Sequence, residues 1–226
     1  MPGSWEVLNL RKNRTLVATI APPDYKVTMG WAMSMRQLQL PAYSDFTRST
    51  GLPFGPARNS CLKIALEQGY NYLFFVDADT LVSPTIISDL INTGYDYIGA
   101  LYYRRYPPYE PAPCMRTVQT NAQGQTTVGR GPLPNFQPGS IIPVDFLPTG
   151  ATLFSRRVME AVLRKFPKPF EWTVDIDNPA SGMSEDFNFS VRAAEVGYQP
   201  MLHTGIICPH ELAMVVTNQG VQTSPF

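Results

Sequence analysis

Apolar runs of strand length alternate along this chain with stretches whose apolar positions recur every three to four residues. Arg14 to Ile20 (RTLVATI) reads as a strand, and Ala21-Pro22-Pro23-Asp24 ends it in a loop. From Pro56 to Gln68 the spacing predicts a helix, with Pro near its first turn, Ala57, Cys61, Ile64 and Ala65 on one face, and Gly69 as the stop. Tyr72 to Val76 is a continuous apolar run, short enough for a strand covered on both faces. Ser83-Pro84 opens a second helix with the stripe Ile86, Ile87, Leu90 and Ile91, closed by Gly94, and Tyr97 to Tyr102 is a further strand. Strand, helix, strand, helix, strand implies an α/β fold with a mainly parallel sheet flanked by helices.

The pattern breaks from Arg104 to Pro148, where Pro and Gly are frequent and aromatic-Pro clusters such as Tyr106-Pro-Pro-Tyr109 flank a polar centre, TNAQGQTT. This segment, about 104–143, reads as a structureless insertion into a single domain of 1–226, and so long a connection is expected to be functional or mobile. Order returns with a strand through Val144 to Leu147 and Thr149 to Phe154, a helix from Arg156 to Lys165, and a helix from Glu185 to Val196 stopped by Gly197. No internal repeat is visible, and 211–226 reads as a polar tail.

Composition narrows the function classes. With 18 acidic and 18 basic residues in 226 there is no net basic charge of the kind that holds nucleic acid. No apolar run reaches membrane-span length, and the start MPGSWEVLNLRKNR lacks an apolar signal core, so the expected compartment is the cytosol. Cys61, Cys114 and Cys208 have neither disulfide nor zinc spacing and read as reduced thiols.

The chemistry centres on LFFVDADTL, in which the buried run Tyr72 to Val76 leads straight into Asp77-Ala78-Asp79. In open α/β sheets ligands gather beyond the carboxyl ends of strands. Residues i and i+2 at an extended strand end face the same side, which would direct both carboxylates into one small volume. Two such charges are costly unless a cation or strong donors sit between them, and Mg²⁺ is commonly held by one or two carboxylates plus substrate phosphates.

Two enzyme classes use such a strand end. The haloacid-dehalogenase phosphatases carry a similar Asp-x-Asp-Gly-Thr, but DADTL lacks the Gly and lies far from the start of the domain. The order Gly55-Pro-Ala-Arg58-Asn59, helix, YLFFVDADTLVSPTIISDLI, then TGATLFSRRVMEAV, Ser184-Glu185-Asp186 with FNFSVRAAEVGY, and TGIICPH ending at His210 resembles the family 2 glycosyltransferases of the Rossmann-like GT-A fold. The resemblance runs over roughly residues 14 to 210.

That resemblance implies a metal-dependent enzyme moving a sugar from a nucleoside-diphosphate sugar, UDP- rather than GDP-linked, to a glycan or other hydroxyl acceptor, with inversion. Asp79 would ligate Mn²⁺ or Mg²⁺, Asp77 would touch the ribose or the metal, and His210 would complete the coordination. Ala78 lies between the two carboxylates. Arg58 would pair with the pyrophosphate or brace Asp77, while Ala21, Pro22 and Asp24 would take the base and ribose. Thr149 and Gly150 would put bare backbone beside the donor sugar, although packing explains that Gly nearly as well. Asp186, in a helix first turn after a Ser184 cap, would be the general base. Glu185 would hold the acceptor or a backbone group. Asp175 and Asp177 read as a turn near the acceptor, His203 as a partly buried structural His, and Trp172 as packing or a sugar-stacking platform. The rivals are a phosphatase using Lys165 or Lys168 and a non-catalytic nucleotide-sugar or glycan-binding protein.

Overall fold

The computed structural model describes residues 11–21, 26–120, 124, 126–174, 182–211, 214–217 and 220–223. In chain order the elements are β1 (Thr15–Ile20), α1 (Met29–Gln37), β2 (Asp45–Ser49), α2 (Phe54–Glu67), β3 (Tyr72–Val76), α3 (Ile86–Asn92) and β4 (Tyr97–Leu101). There follow β5 (Met115–Thr120), β6 (Thr126–Gly131), β7 (Ile141–Pro143), β8 (Ala151–Ser155), α4 (Arg156–Lys165), α5 (Glu185–Glu195), β9 (Met201–Ile207), β10 (Met214–Thr217) and β11 (Gly220–Thr223).

Seven strands form one sheet in the order β2-β1-β3-β8-β4-β9-β7. The ladders β1/β2, β1/β3 and β4/β9 are parallel, whereas β8 is antiparallel to both β3 and β4, and β7 to β9. Hence β2, β1, β3, β4 and β9 point one way and only β8 and β7 oppose them. The carboxyl ends of β1, β3, β4 and β9 therefore share one edge of the sheet, where ligand sites collect in this kind of architecture.

Both faces of the sheet are covered, and the side chains of each strand alternate between two cores. Leu73 and Phe75 of β3 join Ala57, Cys61 and Ala65 of α2, Val158 and Val162 of α4, and Phe189 and Ala193 of α5. Phe74 and Val76 join Ile86, Ile87 and Leu90 of α3 on the other face. Continuous apolar runs form strands here because neither face meets water. Phe154 anchors the first core: its ring lies 4.8 Å from Phe189, 4.7 Å from Tyr97 and 6.0 Å from Phe75. Emptying such a site costs about 3–5 kcal/mol. No helix among the described residues is long and apolar enough to cross a membrane.

Several elements depart from the sequence reading. The expected strand from Val144 to Leu147 is represented only by a bridge between Cys114 and Phe146, and the regular strand begins at Ala151. The insertion is not structureless: β5 and β6 pair antiparallel from Met115↔Gly131 to Thr120↔Thr126. Backbone pairing holds this hairpin rather than burial, since Val118 is 59% exposed, so no apolar pattern announced it. The tail contains the paired strands β10 and β11.

Candidate active site

The extended geometry of β3 ends at Val76. Asp77 to Thr80 forms a turn in which the Thr80 N–H donates to the Asp77 carbonyl at 3.1 Å, and the Asp77 N–H donates to the Gly150 carbonyl of the adjoining turn. The indole of Trp31 also donates to the Asp77 carbonyl, at 2.9 Å, so this Trp orients the turn as well as packing. The turn corrects the expectation of two carboxylates aimed together. Asp77 turns to Arg58, 3.3 Å away, whereas Asp79 turns to His210 and Arg105.

The chain beyond β9 is laced onto this turn. Thr80 and His210 form an antiparallel bridge, the Leu81 N–H donates to the Pro209 carbonyl at 2.9 Å, and the Glu211 N–H donates to the Asp79 carbonyl at 2.7 Å. That pairing delivers His210 Nε2 to 3.2 Å from Asp79 Oδ1. Nδ1 of the same ring lies 2.8 Å from the Tyr103 carbonyl, which only accepts, so Nδ1 carries a hydrogen. In the neutral tautomer Nε2 then presents a lone pair to a carboxylate oxygen, and the two acceptors require a proton or a metal ion between them. Burial pushes the His210 pKa down, but the hydrogen bonds to Asp79 and the Tyr103 carbonyl outweigh it and the net shift is upward. The Asp79 carboxyl is pushed up by burial and drawn more strongly down by His210 and Arg105.

This pair fits a borderline divalent ion such as Mn²⁺. It offers one carboxylate and one imidazole whose remaining N–H is anchored by a carbonyl, leaving further positions to phosphate oxygens and water. Among the described residues no group of three or more His, Cys, Asp or Glu side chains gathers as a metal site, so a bound ion would take its remaining ligands from substrate and solvent.

Beside the turn lies a cleft of about 330 Å³ whose lining includes Asp77, Arg58, Glu185 and Asp186. Arg58 is 4% exposed and forms ion pairs with both Asp77 and Glu185, whose oxygen it contacts through Nη1. Burial alone would lower the Arg58 pKa; Asp77, Asp186 and Glu185 together raise it. Burial in the cleft wall raises the Asp77 carboxyl pKa, with Asp79 and Asp186 adding to the shift and Arg58 opposing it. Arg58 thus braces Asp77. Glu185 is buried against Arg58, and burial raises its carboxyl pKa, with Arg58 and a backbone hydrogen bond opposing the shift.

Asp186 opens α5. Its Oδ1 accepts from the Ser184 hydroxyl and from the Phe187 N–H at 2.9 Å. Ser184 consequently donates to Asp186 and makes no side-chain cap to the helix backbone, a correction of the capping role expected for it. Two donors on one oxygen fix the carboxylate of Asp186, a residue that lines the cleft.

The remaining candidates separate. Ala21 ends β1 with its N–H on the Ser49 carbonyl, whereas Pro22, Asp24, Asp175 and Asp177 lie outside the described residues. Ala78 sits in the turn between the two carboxylates. Thr149 is buried, and the bare Cα face of Gly150 is filled by Tyr102: an added Cβ would stand 2.7 Å from that ring and its hydroxyl. The packing reading of Gly150 therefore accounts for it, and its N–H donates to Tyr102 Oη at 3.0 Å. His203 lies in β9, half-buried, with Nδ1 accepting from the Gly205 N–H. Lys165 pairs with Glu195 on the surface, and neither Lys165 nor Lys168 lines the cleft, which removes the cation a dehalogenase-type phosphatase would use.

Sequence reading missed three arginines of the insertion. Arg105 Nη1 lies 2.7 Å from Asp79 Oδ2, and Arg104 and Arg130 line the cleft. A signal existed for the first two, since they follow β4, whose carboxyl end shares the sheet edge with Asp77.

No family profile and no curated protein matches the sequence. Solved structures do resemble the fold. A197 from STIV is similar over 94% of this chain and 95% of its own, with a TM-score of 0.57 and 14% identity. S. aureus TarS 1-349 in complex with UDP-GlcNAc is similar over 87% of this chain and 58% of its own, with a TM-score of 0.51 and 13% identity. GalNAc-T7 with UDP, GalNAc and Mn²⁺ is similar over 87% and 43%, with a TM-score of 0.50 and 11% identity. The chain thus spans less than two thirds of the last two proteins. At these identities the likeness is one of architecture, and by it the chain has the GT-A fold.

Proposed function

We propose that the protein is a metal-dependent glycosyltransferase that moves a sugar from a nucleoside-diphosphate sugar, UDP- in preference to GDP-linked, to an acceptor hydroxyl with inversion. The observation that carries this reading is the 3.2 Å approach of Asp79 to His210 at the carboxyl end of β3, beside a cleft lined by Asp186. The UDP and UDP-GlcNAc held by similar structures favour the uridine nucleotide.

Asp79 and His210 would hold Mn²⁺ or Mg²⁺, which when bound supplies Lewis-acid stabilisation of the diphosphate as it leaves. Arg105, already against Asp79, adds a fixed positive charge on the same side. Asp77, braced by Arg58, would contact the ribose or the metal's waters. The Asp186 carboxylate takes the proton of the acceptor hydroxyl while that oxygen attacks the anomeric carbon and the bond to the diphosphate breaks. A single displacement with a carboxylate base inverts the anomeric centre. Ala21, Pro22, Ala78 and Asp24 are assigned to the nucleotide side. Thr149 and Gly150 support the turn from behind.

One domain of 1–226 carries this site, with the insertion at about 104–143 contributing Arg104, Arg105 and Arg130. Cys61, Cys114 and Cys208 are free and buried, which suits the cytosolic, reducing compartment proposed for this activity. Calorimetric titration of UDP and GDP with Mn²⁺ and with EDTA tests the reading. Equal affinity in the two conditions contradicts it.

A further inference from the structure

The charges around the cleft do not all cancel. Arg58 is committed to Asp77 and Glu185, and Arg104 lies 3.4 Å from Glu110. Arg130 has no carboxylate at ion-pair distance among the described residues. One of its five N–H groups donates to the Ala112 carbonyl at 2.7 Å, and its guanidinium lies 4.9 Å from the centre of the Phe187 ring. Phe187 is itself stacked on Phe146, 4.5 Å centre to centre at 12°. Arg130 is therefore a cation on a rigid aromatic platform, next in sequence to Asp186, with most of its donor fork uncommitted. A planar fork of this kind matches carboxylate and phosphate oxygens two at a time.

The diphosphate is served elsewhere. Asp79 and His210 do not line this cleft, whereas Arg105 and His210 line a neighbouring hollow of about 200 Å³, and Arg104 lines both. The cleft carries instead two exposed aromatic rings, Trp172 at 61% and Phe54 at 59% exposure, flat apolar faces of the sort against which the C–H face of a sugar ring rests. A ligand that covered these rings would gain from the apolar area it removes from water.

We propose that the acceptor is an acidic saccharide, its ring resting on Trp172 and its carboxylate or phosphate gripped by Arg130, which sets its hydroxyl before Asp186. This inference rests on the glycosyltransferase reading above. It gives the insertion a purpose: the hairpin β5–β6 brings the specificity cation to the acceptor side of the cleft.

The test uses the full chain with Mn²⁺ and whichever UDP-sugar it hydrolyses fastest. Methyl glucuronide, glucose 6-phosphate and methyl glucoside are offered as acceptors to the wild type, Arg130→Gln and Arg130→Lys. For the wild type, kcat/KM is expected to be at least about tenfold higher for one acidic acceptor than for methyl glucoside, the scale of a charge-assisted hydrogen-bond pair; which acid is preferred separates carboxylate from phosphate. Arg130→Gln should bring that ratio below about twofold through KM, with Arg130→Lys between. Trp172→Ala should lower transfer to all three acceptors alike. A wild-type ratio near one, or a ratio unchanged in Arg130→Gln, overturns the proposal. So does a selective loss of UDP-glucuronate over UDP-glucose hydrolysis in Arg130→Gln, which assigns the anion to the donor. Absence of both UDP-sugar hydrolysis and Mn²⁺-assisted UDP binding in the wild type overturns the glycosyltransferase reading itself, and this inference with it.

Discussion

His210 Nε2 and Asp79 Oδ1 lie 3.2 Å apart because the backbone bridge between Thr80 and His210 ties the chain beyond β9 to the turn beyond β3. Neither residue's local sequence contains the other. His210→Ala is therefore expected to weaken Mn²⁺-assisted UDP binding by at least about tenfold. His203→Ala, remote in role though near in sequence, should change stability alone. Isothermal titration of both variants separates them, and equal losses would mean that the bridge does not create the site.

The ion triad around the buried Arg58 and Glu185 carries a stability cost that can be measured. Arg58→Met removes the partner of Glu185 and of Asp77 together and should destabilise by about 3–5 kcal/mol. Adding Glu185→Leu should recover part of that loss, because the uncompensated buried carboxylate is gone. Urea unfolding of the single and double variants checks the sign of the recovery.

Asp186→Asn keeps the shape of the side chain and an acceptor oxygen for the Phe187 N–H, but it removes the base. Turnover should fall by about 10²–10⁴ while the melting temperature holds. A variant that keeps wild-type kcat would show that the α5 carboxylate is a helix-start residue without a part in proton transfer.

Burial raises the thiol pKa of Cys61 to about 11, of Cys114 to about 11 and of Cys208 to about 12, from an ordinary 9.0. The folded chain thus holds these protons more tightly than the unfolded one. The stability they contribute is full below pH 9.0 and is lost as pH rises through 11 and 12. Native protein at pH 8 should therefore resist a thiol reagent until denatured. Rapid labelling of any one of the three in the native state would count against the burial described.

Gly150 illustrates what the sequence cannot disclose. An alanine there would place its Cβ 2.7 Å from Tyr102, so Gly150→Ala should cost about 1–3 kcal/mol by overpacking the strut behind the Asp77 turn. The Gly was visible, but the ring facing it is Tyr102, the residue just after β4. Long-range ion pairs such as Arg105 with Asp79 were hidden for the same reason. By contrast, α4 was fully legible at Arg156–Lys165, since its stripe Val158, Met159 and Val162 is buried and Ser155 accepts from the Val158 N–H. Helix α1 escaped because Trp31 is its only buried residue, and β2 because pairing with β1 holds it while its side chains stay largely at the surface. The apolar pattern reports burial, and it is silent where the backbone does the holding.

The central claim is that Asp79 and His210 form a metal-assisted nucleotide site. Titration calorimetry of UDP into the wild type and Asp79→Asn, each with Mn²⁺ and with EDTA, tests it most directly. Wild-type affinity should be much higher with Mn²⁺ than with EDTA, and Asp79→Asn should abolish the difference while remaining folded. Tight UDP binding that ignores both the metal and the Asp79 substitution would contradict the account.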